Sequence, residues 1–341
     1  MSDPSTPPAA ADDGWRSRGM SDLGPAEMQA FRRVERCFLE ALAARGYAEI
    51  RTPTIEPLHL YTATGALSPQ LLDRVYSFLD WDGWCGERLV LRPDATVPAA
   101  RWYEQRWQSA EPARLCYVQP VFRFVPEGAR EQWQCGAELF GLAAPEGDGE
   151  LLAAVADFLR ALGLRELRAE LGHAGVVRAT LAAAGLAPVE QGAAYDRLLA
   201  GDVGITAELA LRAPALGPAL RLLFEVGGDA PKLAAYLANL RAALALVAPV
   251  AVPALAELEA AGRALADAGI ACGVTWGTAG SLEYYSGLTF RVLAGDDECA
   301  RGGRYDGLGE ALGQRRAPAC GFGADVLRLA ALAAAAEDYR R

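Results

Sequence analysis

Residues 117–141, YVQPVFRFVPEGAREQWQCGAELFG, read as two strands joined by a polar loop that holds Pro126 and Gly128. On the second strand a period of two puts Gln132, Gln134, Gly136, Glu138 and Phe140 on one face. Trp133, Cys135, Ala137 and Leu139 fall on the other. The first face therefore carries an amide and a carboxylate on either side of a residue with no side chain. Together they make a notch with a donor/acceptor wall and an anionic wall. On the first strand Gln119, Val121 and Arg123 share a face, so a cation can approach the same notch. A small molecule with an ammonium or imidazole group fits such a surface. Taken alone, the stretch is equally well described as a hairpin with an ordinary solvated polar face.

Outside this hairpin the composition sets limits. The chain has 341 residues, 52% of them hydrophobic, enough for one large or two smaller cores. No apolar run reads as a membrane span. Residues 1–21 are rich in Pro, Ser and Asp and lack a signal layout, so a disordered lead and a cytoplasmic protein are expected. The seven cysteines form no Cys-x-x-Cys, and the two histidines, His59 and His173, stand far apart. Neither a zinc site nor a Ser-His-Asp triad is expected, and no cofactor. A net charge of −10 argues against a broad nucleic-acid surface. Lys232 is the one lysine, and arginine supplies the remaining cations. There is no GxxxxGK[ST] phosphate loop.

Working outward, residues 25–45 are expected to be helical, opened by Pro25 and stopped by Gly46. Residues 46–53, GYAEIRTP, are extended. Residues 71–79 are a helix or strand, and 88–92 a short strand. Asp94 and Thr96 sit at the start of a helix over 97–107, where capping is the simplest local role. Helices are expected over 149–162 and 253–268, and strands over 166–171, 271–276 and 282–292. In the last of these Glu283, Tyr285, Gly287, Thr289 and Arg291 share a face. Residues 301–307, RGGRYDG, read as a turn, and 318–328 as a strand entering a final helix. Residues 175–250 shift to Ala and Leu at helical spacing. The order of elements favours an α+β fold with a mostly antiparallel sheet flanked by helices.

Five of these segments, in this order, resemble the class II aminoacyl-tRNA synthetase core, and within it the histidyl-tRNA synthetase group. GYAEIRTP resembles the first motif, FRF with QWQCGAELFG the second, and GFGADVLR the third. LEYYSGLTF and RGGRYDGL resemble two stretches of the histidyl branch. The resemblance implies a synthetase-like core over 22–174 and 251–335 with a helical insertion over 175–250. It implies a histidine pocket of Asp94, Thr96, Arg123, Gln134, Glu138, Tyr284 and Tyr285. Asp94 would take the α-amino group, and Gln134 and Glu138 would face the imidazole. Strand alternation would turn Tyr284 and Tyr285 to opposite faces, and Tyr285 is the one expected in the pocket.

The departures are as informative. By alignment, Gly280 stands where the histidyl group has an arginine that stabilises charge during activation. Val125 replaces the second-motif glutamate that contacts ATP. Asp325 and Leu327 replace the third-motif glycine and glutamate, although Arg328 is kept. The sequence stops soon after Arg328, where synthetases continue into an anticodon-binding domain. An amino-acid pocket kept without adenylation machinery resembles the ATP phosphoribosyltransferase regulatory subunits. That resemblance implies no catalysis in this chain. It also implies a homodimer, formed through GYAEIRTP, within a hetero-oligomer with a short-form catalytic subunit. The complex would carry out the first step of histidine biosynthesis, under feedback by L-histidine. A histidyl-tRNA synthetase without the anticodon-binding domain is the alternative.

Overall fold

The computed structural model describes residues 15–64, 74–81, 86–199, 202, 204–226, 233–276, 285–313 and 316–338. Its spine is a sheet of eight strands: β1 (Ala48–Glu49), β5 (Ala113–Phe122), β6 (Glu131–Phe140), β7 (Leu167–His173), β8 (Ala271–Val274), β9 (Leu288–Ala294), β10 (Asp297–Arg304) and β11 (Ala319–Asp325). Their spatial order is β1-β5-β6-β11-β10-β9-β7-β8. The five inner pairings are antiparallel, while β1–β5 and β7–β8 at the two edges are parallel. A second sheet of β2 (Ile55–Pro57), β4 (Gly86–Leu91) and β3 (Ser77–Trp81) stands beside it.

The helix α1 (Pro25–Ala43) forms where the apolar spacing demands it, burying Phe31, Val34, Phe38 and Leu42. Gly46, at φ +81°, turns the chain out of it, a conformation that favours glycine. With α4 (Glu146–Ala161) and α12 (Val326–Asp338), α1 covers one face of the sheet. Phe38 meets Phe158 and Phe322 edge-on there, at 5.1 and 6.2 Å between ring centroids. Trp133 meets Phe31 at 5.2 Å, so the second face of the hairpin strand turns to the helices. The polar face looks the other way.

The connection after β4 carries a short loop into α3 (Thr96–Arg106). The described part of residues 175–250 is helical, with no strand. It holds α5 (Ala174–Ala183), α6 (Pro188–Leu199), α7 (Gly204–Arg212), α8 (Gly217–Arg221) and α9 (Leu233–Val247). The next helix, α10 (Val252–Asp267), returns the chain to β7 and β8. A short α11 (Leu308–Ala311) precedes β11. Residues 1–14 of the expected lead, and 71–73 of the segment read as helix or strand, lie outside the described residues. Residues 15–21 of that lead are tied down and not loose: Arg16 pairs with Asp22 at 2.9 Å, and the Gly19 carbonyl accepts the amide of Arg130, from the hairpin loop, at 2.7 Å.

Two sequence expectations are corrected. The strand expected over 282–292 begins only at Leu288. Just before it, the Ser286 and Gly287 amides both donate to the Arg304 carbonyl, at 2.8 and 3.3 Å. That doubled contact breaks the period of two, so alternation does not set the direction of Tyr285; Tyr284 lies outside the described residues. The run RGGRYDG is not a turn throughout, since Arg301–Arg304 completes β10. Its glycines are there for close approach. A Cβ on Gly302 would overlap the Gly321 carbonyl, and one on Gly303 the Leu288 carbonyl.

Candidate functional site

The polar face of the sheet holds a cavity of about 310 Å³, small for a ligand pocket. Its floor follows from register. Glu138 lies opposite Gly321 and Gly136 opposite Gly323, while Gly321 lies opposite Gly303. Glycines at these crossing points leave depth above the sheet that any side chain would fill. A Cβ on Gly136 would stand 2.5 Å from the Tyr117 hydroxyl, and one on Gly323 would overlap the Gln134 amide.

Asp94, Thr96, Arg123, Gln134 and Tyr285 all line this cavity. Asp94 arrives there by local chemistry. Its Oδ1 accepts the Val97 amide at 2.8 Å and caps α3. Its own carbonyl is fixed by the buried Tyr61 hydroxyl at 3.1 Å. Capping and cavity lining are therefore combined in one side chain. Arg123 is braced by Nε donating to the Pro93 carbonyl at 2.8 Å. Gln134 turns inward with its buried Oε1 lacking a hydrogen-bond partner. A buried polar atom of that kind is costly unless something pairs with it.

Glu138 corrects the expectation of a carboxylate on the surface of the notch. It is fully buried and lies beneath the lining, because Gly321 and Tyr305 close over it. The Tyr117 hydroxyl donates to its Oε1 at 2.9 Å, and the Tyr305 hydroxyl bonds to its Oε2. Burial pushes its carboxyl up to about 8, against the opposing hydrogen bonds from Tyr305, Thr96 and Tyr117. Tyr305 thus stands between the carboxyl and the cavity. Burial also pushes the Tyr285 hydroxyl up, so it faces the cavity as a neutral donor.

Several lining residues escaped the sequence reading. Arg301 and Tyr305 line the cavity, and they share a face of the strand and its end with Gly303 at a period of two, a signal hidden because RGGRYDG looks like a turn. Tyr117, on the face of Gln119 by the same spacing, lies beneath the lining, fully buried against Glu138. Arg301 lines the cavity while gripping Glu298 with two bonds, at 2.6 and 2.7 Å. At the far wall, the Asp325 Oδ1 accepts the amides of Leu327 and Arg328 at 2.9 and 3.0 Å, capping α12. Arg328 reaches Asp297 at 3.0 Å. Val125 follows Phe124, whose exposed ring lies under the Arg130 guanidinium at 4.3 Å. Gly280 lies outside the described residues. Among the described residues no group of three or more His, Cys, Asp or Glu side chains could hold a metal. None of their helices is long and apolar enough to cross a membrane.

The geometry has counterparts. A family model described as histidyl-tRNA synthetase matches residues 19–329. A Dehalococcoides mccartyi protein named ATP phosphoribosyltransferase regulatory subunit is 39% identical over 95% of this chain and 78% of its own length. A structure from Bacillus halodurans is titled as an ATP phosphoribosyltransferase regulatory subunit/histidyl-tRNA synthetase. It superposes with a TM-score of 0.79 at 26% identity, covering 93% of this chain and 83% of that one. A histidine–tRNA ligase subunit from Alicyclobacillus acidocaldarius superposes with a TM-score of 0.75 at 28% identity, covering 94% of this chain and 98% of that one.

Proposed function

The chain belongs to the histidyl-tRNA synthetase family, and within it to the ATP phosphoribosyltransferase regulatory subunits, and on that premise we propose that its cavity senses free L-histidine without activating it. As a regulatory subunit of ATP phosphoribosyltransferase it acts in histidine biosynthesis. The histidine α-ammonium meets Asp94, and its carboxylate meets Arg123. The imidazole meets the inward amide of Gln134 and the hydroxyl of Tyr305, behind which Glu138 sits. The phosphoribosyl transfer itself belongs to a short-form catalytic subunit. This chain meets that subunit as a homodimer in the cytoplasm, joined through residues 46–53. The division into a core of 22–174 and 251–335 and an insertion of 175–250 belongs to the same proposal.

One observation carries the loss of adenylation. A helix N-terminus at a cavity wall is a natural seat for phosphate. At α12 that seat is taken by the Asp325 carboxylate, which holds the Leu327 and Arg328 amides. A nucleotide phosphate would meet a fixed negative charge where it needs donors. Val125, with no polar group where the resemblance expects a glutamate, supports the same reading.

The test pairs two assays. Phosphoribosyl transfer by a short catalytic subunit is measured with and without this chain, and with added histidine. ATP–pyrophosphate exchange is measured on this chain alone. Activation that histidine reverses, with no exchange, is expected. Exchange by the isolated chain would make it a synthetase instead.

A further inference from the structure

Behind the cavity lies a second polar cluster that the proposed histidine site does not use. His173 ends β7 and adjoins the first residue of α5, so it stands where the sheet passes into the helical region. It is 5% exposed. Its Nε2 lies 3.0 Å from Glu257 Oε2 on α10. That hydrogen bond is the main cause holding the Glu257 carboxyl below its ordinary value, against the opposing effect of burial. Its Nδ1 is buried and has no hydrogen-bond partner. Gly175 packs against the same ring, since a Cβ there would stand 3.1 Å from Nδ1 and 3.5 Å from the Ser286 carbonyl.

Ser286 and Gly287 are the residues that follow Tyr285 at the cavity wall. The Gly287 carbonyl accepts the Ala174 amide at 2.9 Å, next to His173. On its other side Gly287 has Arg304, whose Cδ a Cβ would approach to 3.0 Å. Arg304 is itself buried and paired with Asp148 of α4 at 2.8 Å. The Asp148 Oδ2 is a second buried atom without a partner. The next residue after Arg304 is Tyr305, which meets Glu138. A three-residue segment is thus held between the Ala174–Gly175 start of α5, beside His173, on one side and Arg304 on the other, and each side leads to a cavity tyrosine.

The geometry points to the His173–Glu257 contact as a positioning pair, by which α10 holds Tyr285 in place and couples occupancy of the amino-acid cavity to the helical region. The inference rests on the proposed reading of that cavity as a histidine site. It assigns regulation an internal route: ligand at Tyr285 tightens Ser286–Gly287 against the Ala174–Gly175 start of α5, which packs on His173, and His173 grips Glu257. Coupling must run both ways, so a change imposed on α10 must also alter ligand affinity.

The experiment titrates histidine calorimetrically into wild type, Glu257→Ala, Glu257→Gln and the control Arg241→Ala. That control breaks the Arg241–Glu259 pair between α9 and α10 but does not touch His173. Glu257→Ala is expected to weaken histidine about tenfold or more, Glu257→Gln to recover most of that loss, and Arg241→Ala to bind as wild type does. Amide exchange on the wild-type chain supplies a readout that needs no variant to fold: histidine is expected to slow exchange over residues 252–267. Wild-type binding with unchanged affinity in Glu257→Ala, or with no slowing over 252–267, overturns the inference. Absence of binding by wild type would instead overturn the histidine reading.

Discussion

Glu138 sets the chemistry of the cavity through its protonation. Burial pushes its carboxyl from an ordinary 4.5 up to about 8, so near neutrality the folded chain keeps a proton that the unfolded chain releases. Its contribution to stability is therefore fully present below the unfolded value and is lost as pH rises through about 8. Thermal melts between those limits should fall with rising pH, and Glu138→Gln, which cannot ionise, should flatten the slope. An unchanged slope would show that the carboxyl is ionised in the fold. The β11 glycines of the lining separate stability from binding. An alanine at Gly321 runs into the Glu138 carboxyl, which two tyrosines lock in place. An alanine at Gly323 meets the end of the Gln134 side chain, which is free to swing. Gly321→Ala should cost about 1–3 kcal/mol by denaturant unfolding, as overpacking does. Gly323→Ala should cost much less, yet abolish histidine binding in a calorimetric titration, because the displaced amide fills the cavity.

Between residues and fold stands the junction where β2, β4 and β5 meet. Arg92, 1% exposed, joins them with donors to four backbone or amide oxygens. Its Nε reaches the Pro120 carbonyl at 2.6 Å, and its Nη1 reaches the Thr52 carbonyl at 2.8 Å, Gln119 Oε1 at 2.9 Å and the Pro53 carbonyl at 3.1 Å. All these acceptors are neutral, so desolvation of the cation offsets part of the gain. Arg92→Met keeps the bulk but strands the acceptors, each of which costs about 1–3 kcal/mol when buried and unmet. After the offset, a net loss of about 2–4 kcal/mol is expected, read as a lower urea midpoint at constant m. Asp94 follows two residues later, so ligand affinity should fall with it. Elements like these were unequally legible. The stripe of α1 and the alternation of β6 are local patterns, and both stand where spacing put them. The strand character of Gly302 and Gly303 is not local: it comes from the closeness of Gly321 and Leu288, which are far along the chain or on another strand. Depth is not local either, so the spacing that put Glu138 on the right face could not say that Tyr305 covers it.

At the scale of the molecule, the cavity draws its walls from five neighbouring strands, β5, β6, β11, β10 and β9, whose residues run from Val121 to Asp325. Resemblance to a known family brought Asp94, Arg123 and Gln134 together before any geometry did. The same resemblance singled out Asp325 but not its capping of α12, and it gave no guide to Arg301, whose place at the cavity depends on which strands lie side by side. A ligand seated here touches segments that come together only in the folded chain, so it should stabilise the whole fold and not one loop. At one hundred times its Kd a ligand that binds only the folded state adds about 2.7 kcal/mol. In a chain of this size, that corresponds to a rise in Tm of about 4 °C. Histidine should give such a shift, and it should shrink in Gln134→Ala and Arg123→Ala. ATP and pyrophosphate, meeting Asp325 at the mouth of α12, should give none at matched concentration. Asp325→Ala should lose about 1 kcal/mol of capping and leave two amides open at that wall. If the carboxylate is what turns nucleotides away, that variant should gain a shift with pyrophosphate that wild type lacks. No gain would mean that the exclusion lies elsewhere along the cavity.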